Sequence, residues 1–391
     1  MDRRAFIFGE LYFPHGSASA NYVLYLAKCL QEIGYKVCII TEVNKTETLK
    51  ELGNNRYEYE GIEIFDMPPF SNNRFISHIE KNYLRGHSVI KIMELLKPTS
   101  EDLVISYSMN DCEMNSVFRY CRNNGIQSAA CITELLSAEQ FGKGTFDFYY
   151  LKYLRGVRYS IPKANYIFPI STYIEDFYMK MRVRSKVFRM PVLSDSSAAK
   201  FSQKPKNVTR FIFPANGMMK DSMAQMLDVF SELPDDYLEK VEFHITGITE
   251  KQVEQYCNEC TKMLINKSVF VHGWLEYSKL VELYQQVHFL LLLREKNQMT
   301  EANFPSKVPE TMTYGIVPIA SNVGDYTSIF LRNNIDSLII DDISDVYNRI
   351  VDAIDMKQEE YDLFSQRAIE KVKELDYHIW AIKLKQFLIK T

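Results

Sequence analysis

The regular alternation of short apolar runs with amphipathic segments is the feature that most constrains how this chain folds. Residues 3–9 and 35–42 are apolar enough to be buried strands. The segment between them repeats apolar residues at three- and four-residue spacing, which is typical of a helix that covers a sheet. Gly34 is the predicted stop of that helix. Strands that alternate with helices predict an α/β fold with parallel sheets covered on both faces.

The alternation is interrupted once and then begins again. Residues 191–210 are polar and carry Ser, Lys and Pro, as a linker does, and 391 residues exceed what one hydrophobic core usually organises. We therefore expect two doubly wound, Rossmann-like domains that face each other across a cleft at the carboxyl ends of their strands. The predicted boundaries are residues 1–192, residues 193–372, and a final amphipathic helix over 373–391 that packs back toward the first domain.

Charge and cysteine content exclude several classes of function. The net charge of -4 gives no overall attraction to nucleic acid, so any anion site must be local. Cys257 and Cys260 form a C-x-x-C pair, but no further zinc ligands stand nearby, and we interpret them as ordinary helix cysteines. The N-terminal apolar stretch is short and is broken by Glu10, so we expect a cytoplasmic protein without a signal peptide.

The stretch from 290 to 324 contains the largest group of candidate ligand-binding residues. A buried strand ends at Arg294, a polar loop follows, and a helix is predicted to begin with Ser306 as its N-cap. Free N–H groups at a helix start form an anion site, and Arg294 and Lys307 add charges suited to a diphosphate. Glu310 lies one turn into the helix, where a carboxylate can accept hydrogen bonds from a ribose diol.

This stretch resembles the retaining family 4 glycosyltransferases (glycosyl transferases group 1), which have the GT-B fold. Their second domain carries two glutamates separated by seven residues, then a helix, a glycine and a strand. Glu310 matches the second glutamate, which binds the donor ribose in that family, and Phe304 matches the aromatic residue before it. Ala302 stands where the first glutamate contacts the donor sugar, with Glu301 beside it. The resemblance implies that residues 193–372 bind a nucleotide sugar.

Two further stretches resemble the same family. Residues 211–230 match its strand, glycine turn and lysine, so that Gly217 lets the backbone approach the phosphates and Lys220 neutralises them. Residues 10–40 match its opening strand, small-residue loop and first helix. The loop residues with an implied role are His15, which hydrogen-bonds donor or acceptor, and Gly16, Ser17 and Ser19, which leave room for a substrate.

Glu134 is the predicted acceptor-side group. It follows a predicted strand where many family members place a His and an Asp, and this chain has Thr133 and Glu134. Glu134 would orient the acceptor hydroxyl or accept its proton. A solvated glutamate at the start of a loop is the structural alternative. Ser171 is the predicted cap of the helix that follows the next strand.

A basic, aromatic segment covers residues 146–163. Its cations alternate with tyrosines, phenylalanines and leucines, a composition that suits the interface of an anionic bilayer. An ordinary helix that packs its aromatic side chains inward is the alternative. The cations are Lys152, Arg155, Arg158 and Lys163.

Together these observations predict a retaining transferase that moves a hexose-type sugar from a nucleotide-diphosphate donor to a sugar or lipid-linked acceptor. The expected setting is synthesis of cell-surface polysaccharide or glycan, in the cytoplasm or at the inner face of the membrane. UDP-sugars are favoured over GDP-sugars as donor, and the resemblance implies no metal or other cofactor. A nucleotide-sugar epimerase of the same fold and a non-catalytic nucleotide-sugar-binding subunit are the alternatives, the second because of Ala302.

The predicted site residues fall into three groups. The catalytic residues are Glu134, Lys220 and Arg294. The acceptor-binding residues are His15 and Glu134. The donor-binding residues are Gly16, Ser17, Gly217, Lys220, Arg294, Asn303, Phe304, Ser306, Lys307 and Glu310.

Overall fold

A computed structural model describes residues 3–14, 17–43, 45, 48–197, 199–215 and 220–389. The chain forms two compact units. Unit 1 comprises Met1–Leu193 and Tyr377–Thr391, and unit 2 comprises Ser194–Asp376. Within the described residues, no helix is both long enough and apolar enough to cross a membrane.

Unit 1 is built on a sheet in which most neighbouring strands are parallel. The strands run in the order β3-β4-β5-β2-β1-β6-β7-β8-β9. Only β3–β4 and β4–β5 pair antiparallel. The direction of the winding reverses between β1 and β6. The strands are β1 (Arg4–Phe13), β2 (Lys36–Val43), β3 (Lys50–Gly53), β4 (Arg56–Tyr59), β5 (Ile62–Asp66), β6 (Leu103–Tyr107), β7 (Gln127–Ile132), β8 (Tyr166–Pro169) and β9 (Lys186–Val187).

The helices of unit 1 begin and end where local chemistry dictates. Ser17 caps α1 by accepting a hydrogen bond from Ala20 N at 3.1 Å, and Gly34 ends the segment with a φ of 92°. Ser171 caps α6, as predicted, by accepting from Ile174 N. The helices are α1 (Ala18–Glu32), α2 (Arg74–Ile79), α3 (Arg85–Leu96), α4 (Asp111–Asn123), α5 (Phe148–Arg155) and α6 (Thr172–Lys180), with π-helical turns at Glu80–Leu84 and Gly156–Ser160.

Unit 2 is a doubly wound parallel sheet. Its order, β12-β11-β10-β13-β14-β15, reverses between β10 and β13. Each pair of neighbouring strands is parallel. A mainly parallel sheet in unit 1 and a parallel sheet in unit 2, both with helical connections, confirm the predicted α/β class. The strands are β10 (Thr209–Pro214), β11 (Val241–Thr246), β12 (Val269–Val271), β13 (Phe289–Leu292), β14 (Val317–Ser321) and β15 (Leu338–Ile340).

The helices of unit 2 pack on this sheet through a buried aromatic core. Phe230 stacks on Phe243 with ring centroids 4.6 Å apart and contacts Phe211 at 5.4 Å. The helices are α7 (Met223–Ser231), α8 (Asp235–Leu238), α9 (Glu250–Val253), α10 (Glu259–Leu264), α11 (Tyr277–Tyr284), α12 (Gln298–Ala302), α13 (Lys307–Met312), α14 (Val346–Asp355) and α15 (Gln358–Val372).

The last helix, α16 (Tyr377–Ile389), belongs to unit 1 although it follows unit 2 in the chain. Its first turn packs on α1, where the rings of Tyr25 and Tyr377 stack with centroids 6.1 Å apart. Its far end stacks Phe387 on Phe188 at 4.9 Å. The fold of unit 1 is therefore completed by a helix that follows unit 2 in the sequence.

Candidate active site

The candidate site of unit 2 lies where the strand order reverses. In doubly wound sheets this is the point at which the loops diverge and leave a crevice for a ligand. The loops after β10 and β13 are tied together there, since Ser222 N donates to Leu293 O at 2.8 Å. The end of β14 joins them, because Arg294 N donates to Ser321 Oγ at 3.0 Å.

Three charged side chains meet at this point. Arg294 Nε lies 2.7 Å from Asp221 Oδ1, and Lys307 Nζ lies 2.7 Å from Asp221 Oδ2. The exposed fractions of the side chains are 4% for Arg294, 3% for Asp221 and 11% for Lys307. We call these three residues the ion trio. The trio has a net charge of plus one, and the Asp221 carboxylate bridges two of the three cations predicted for the diphosphate.

Contacts to neighbouring residues hold the members of the ion trio in defined positions. Arg294 also donates from Nη1 to Asn303 Oδ1 at 3.1 Å, and Lys307 Nζ lies 4.5 Å from the centre of the Phe213 ring. Burial favours a neutral carboxyl, but the charges of Lys307 and Arg294 outweigh it and hold the pKa of Asp221 below its ordinary value. Burial lowers the pKa of Lys307, although Asp221 opposes the shift.

Glu310 lies on α13, and the residue as a whole is half-buried. Tyr284, fully buried at the end of α11, donates from its hydroxyl to Glu310 Oε1 at 3.4 Å. Burial raises the pKa of Glu310 to about 7, and the bond from Tyr284 and the charge of Lys307 only partly oppose this shift. A carboxyl whose pKa lies near neutral pH is a functional-site candidate, because a ligand that binds beside it can change its protonation state.

The predicted helix start is confirmed, but the predicted capping by Ser306 is wrong. α13 begins at Lys307 and has Pro309 in its first turn. Ser306 occupies the N-cap position, yet its φ and ψ of -61° and -26° are already helical and its side chain makes no cap hydrogen bond. A capping side chain needs an extended backbone. Here Val308 N is satisfied instead by Pro305 O at 3.1 Å.

The residues between Arg294 and Ser306 mostly serve the core of unit 2. The ring of Phe304 is buried and lies 6.2 Å from Tyr326 and 6.0 Å from Phe330. Ala302 is fully buried. Glu301 is half-buried and lies 3.7 Å from Lys296 Nζ.

Several predicted residues lie outside the described residues or next to them. His15, Gly16 and Gly217 are outside, so their predicted roles stay predictions. Lys220 is half-buried and immediately precedes Asp221. Asp221 and Tyr284 were not predicted, because neither belongs to a recognisable local motif.

In unit 1, the predicted residues gather at the carboxyl ends of β6 and β7. The hydroxyl of Tyr107, at the end of β6, hydrogen-bonds the side chains of Ser19 and Thr133. Glu134 follows β7 and is half-buried. Ser17 lies two residues before Ser19, and its hydroxyl is engaged in capping α1. Ser17 therefore supports the helix start rather than leaving it open.

A second polar group at this edge of unit 1 was missed by sequence reasoning. Arg85 is buried, with Nε 3.0 Å from Glu113 Oε1 and Nη2 donating both to Glu42 Oε2 and to Gly9 O at 2.9 Å. Burial raises the pKa of Glu113 to about 7 despite the charge of Arg85. Glu10, half-exposed, completes the group with an oxygen 3.9 Å from Arg85 Nε. Its members come from β1, β2, α3 and α4, so no local pattern announces it.

The structure also bears on the predicted absence of a metal site. Among the residues that the structure describes, no three His, Cys, Asp or Glu side chains form a group that could hold a metal ion. Cys257 and Cys260 are free thiols. Only Cys260 lies on a helix, α10, so the prediction that both are helix residues is wrong for Cys257.

Comparison with known proteins agrees with this geometry. Residues 196–371, nearly all of unit 2, match the family model described as glycosyl transferases group 1. This range contains the ion trio and Glu310. No curated protein matches the chain in sequence. The family match thus marks unit 2 as a glycosyltransferase domain, and the two Rossmann-like sheets give the chain the fold class of the GT-B proteins.

Solved structures resemble the chain over its full length. They include sucrose-phosphate synthase from Thermosynechococcus elongatus, with a TM-score of 0.72, 12% identity and 99% of each chain covered. The HepE protein of Anabaena, solved with UDP and glucose, has a TM-score of 0.68, 11% identity and full coverage of both chains. A trehalose-6-phosphate synthase, studied for glycosyl transfer with retention, has a TM-score of 0.68, 10% identity and 99% coverage of both. At these identities the likeness concerns the fold.

Proposed function

We propose that this protein transfers a sugar, with retention of configuration, from a UDP-sugar held by unit 2 to a sugar or lipid-linked acceptor held by unit 1. The observation that carries the proposal is the ion trio with Glu310 beside it, at the strand reversal of unit 2. Cations suit the diphosphate of such a donor, and a carboxylate suits its ribose. The HepE structure, which contains UDP and glucose, supports the choice of donor.

The cations of the site have different proposed roles because their surroundings differ. Arg294 is bound by Asp221 and Asn303 and is almost fully enclosed, so its role is to position its neighbours. Lys307 keeps more exposure and, with Lys220, stabilises the charge that grows on the leaving diphosphate. Fixed charges of this kind usually supply the largest electrostatic contribution to catalysis. The proposed mechanism uses these side chains rather than a bound metal ion.

Unit 1 supplies hydrogen-bond acceptors for the sugar hydroxyls of an acceptor. Glu134, Glu10 and Glu42 all lie at the carboxyl edge of its sheet. Glu134 orients the hydroxyl that attacks the donor. Retention is supported by the likeness of fold to a trehalose-6-phosphate synthase studied for that outcome. The proposed setting is the synthesis of cell-surface polysaccharide or glycan.

UDP is expected to raise the thermal unfolding midpoint of the wild-type protein. A ligand at 100 times its dissociation constant adds about 2.7 kcal/mol of stability to the state that binds it. Lys307→Ala and Glu310→Ala should abolish most of the shift, whereas Lys267→Ala, at an exposed position of unit 2, should retain it. The measurement is differential scanning fluorimetry with UDP, GDP and ADP. An unchanged shift in both site variants would show that the donor binds elsewhere.

A non-catalytic nucleotide-sugar-binding subunit is the second candidate, because Ala302 is buried where the family has a glutamate that contacts the donor sugar. Slow release of UDP from a UDP-sugar by the purified protein would favour the transferase. Binding without any release of UDP, at every acceptor tried, would favour the subunit. Interconversion of the donor sugar would favour an epimerase.

A further inference from the structure

One surface of unit 1 exposes large apolar side chains on two neighbouring segments. The first segment is α2 with the π-helical turn that follows it, and the second runs from residue 146 into α5. The exposed fractions range from 41% for Tyr83 to 86% for Phe146. We call the set the aromatic face, and its members are Phe75, Ile76, Tyr83, Phe146, Phe148, Tyr149 and Leu151.

Side-chain contacts join the two segments into one surface. Lys152 Nζ donates to Asn82 O at 2.7 Å and to Asn82 Oδ1 at 3.0 Å. The same ammonium lies 4.9 Å from the centre of the Tyr83 ring. The rings of His78 and Tyr149 meet edge to face at 6.3 Å. The aromatic face is therefore continuous across α2 and α5.

The charge around the aromatic face is positive. Residues 74–84 and 141–160 together contain six Lys and Arg residues against two acidic residues. One of the acidic residues, Asp147, is engaged in capping α5, and the other, Glu80, accepts from Ser71 N at 2.7 Å. Arg74, Lys81, Lys143 and Arg158 are exposed.

The structure changes which residues of the predicted basic segment are available. Lys152 is held by Asn82, Lys163 donates to Asn115 Oδ1 at 2.7 Å, and Arg155 lies 3.0 Å from the buried carboxyl of Asp111. Tyr153 is buried, so part of the segment does pack inward. The surface available to a partner is therefore formed by the exposed aromatic residues, by Arg74 of α2 and by Lys81 of the π-helical turn after it.

Isolated exposed apolar residues are common on soluble proteins, but a contiguous group of this size marks an interaction site. Phenylalanine and tyrosine among lysine and arginine match the headgroup level of an anionic bilayer, where the rings insert and the cations meet lipid phosphates. A protein partner for such a surface would need a complementary acidic and apolar patch. An anionic bilayer offers both negative charge and an apolar interior over its whole surface, so it needs no specific complementary patch.

We propose that the aromatic face docks unit 1 on an anionic bilayer. The inference rests on the proposed function only in that a lipid-linked acceptor would then be presented to unit 1 at that surface. The contacts that carry it all lie within unit 1 and do not involve the donor site.

Flotation with lipid vesicles tests the proposal. The full-length protein should float with vesicles of phosphatidylcholine and phosphatidylglycerol, and should remain unbound with phosphatidylcholine alone. Added salt should weaken the binding. The variant Phe148→Ser with Tyr149→Ser, and separately Arg74→Glu with Lys81→Glu, should each lower the affinity for anionic vesicles by about ten-fold or more. Leu95→Ser, at an exposed position on α3, should bind like the wild type.

The proposal would be overturned if the wild-type protein did not bind anionic vesicles, or if both variants of the aromatic face bound them with wild-type affinity. It would also be overturned if light scattering without lipid showed a dimer that the substitutions in the aromatic face abolish. The UDP-induced thermal shift is measured on the same samples. If UDP still shifts the midpoint but the protein does not bind vesicles, only the docking proposal is rejected. If the protein binds vesicles but UDP causes no shift, the proposed donor site is rejected and the docking proposal stands.

Discussion

Asp221→Asn is expected to lower the thermal unfolding midpoint of unit 2 by roughly 6–12 °C. Asparagine keeps the shape of the side chain but removes the charge that balances Arg294, which is buried, and Lys307, whose side chain is only 11% exposed. Breaking a buried ion pair by neutralising one partner costs about 3 kcal/mol or more, and a unit of this size shifts by about 2–4 °C per kcal/mol. Differential scanning calorimetry measures the shift.

A matched control and an anion rescue make the Asp221 experiment specific. Asp236→Asn, at an exposed position on α8, should change stability by less than about 0.5 kcal/mol. Inorganic phosphate or UDP should stabilise the Asp221→Asn protein more than the wild type, because the released cations then need an anion. Equal melting of Asp221→Asn and wild type, or the absence of rescue, would contradict the ion trio as the balanced core of the donor site.

Glu310→Gln is expected to weaken UDP binding by about 10- to 100-fold at pH 8, since hydrogen bonds to a charged group contribute about 1.5–3 kcal/mol. In the wild type, only the ionised carboxyl accepts strong, charge-assisted hydrogen bonds from both ribose hydroxyls, and its pKa is raised to about 7. Affinity should therefore fall about ten-fold from pH 8 to pH 6. Isothermal titration with a UDP-sugar measures both effects.

The same substitution should make the protein more stable at alkaline pH. The raised pKa means that folded Glu310 keeps its proton between pH 4.5 and 7, so its stabilising effect is complete below pH 4.5 and is lost as the pH rises through 7. Glutamine mimics the protonated form at every pH. Because Glu310 is only half-buried as a residue, solvent screening reduces the effect, and we expect a gain of about 2 kcal/mol at pH 8, or roughly 4–8 °C in the midpoint of unit 2.

Opposite changes in affinity and stability distinguish a ligand-binding carboxyl from a structural one. Glu301→Gln is the control, since Glu301 is half-buried on α12 beside Lys296 and we expect little change in either property. If Glu310→Gln lost stability at pH 8, the carboxylate would be stabilising the fold. If UDP affinity stayed constant from pH 6 to 8 in the wild type, Glu310 would not bind the ribose as an anion.

Features of the fold that depend on neighbours in the chain were predictable. The spacing of apolar residues and the stop at Gly34 define α1, and Ser171 caps α6 as its position before a helical pattern indicated. The start of α13 at Lys307 and the turn after it at Gly315, with a φ of 69°, also follow from local residues. A side chain at Gly315 would lie 2.4 Å from Ser365 Oγ, so the position requires glycine for two reasons.

Features that depend on distant segments were not predictable. Asp221 follows a turn lysine and looks like an ordinary polar residue until three segments place Arg294 and Lys307 against it. The sequence therefore predicted the cations but missed the anion that holds them. The half-buried state of Glu310 likewise depends on Tyr284 from α11, and spacing alone carries no information about that contact.

The placement of α16 in unit 1 has a consequence for how the protein folds during synthesis. Residues 194–376 leave the ribosome before residues 377–389, so unit 2 can complete its core while unit 1 still lacks a helix. Until then the surface of α1 around Tyr25 and the ring of Phe188 are uncovered. Nascent chains arrested at that stage should recruit chaperones to the earlier-made half, and the half made later should already resist proteolysis.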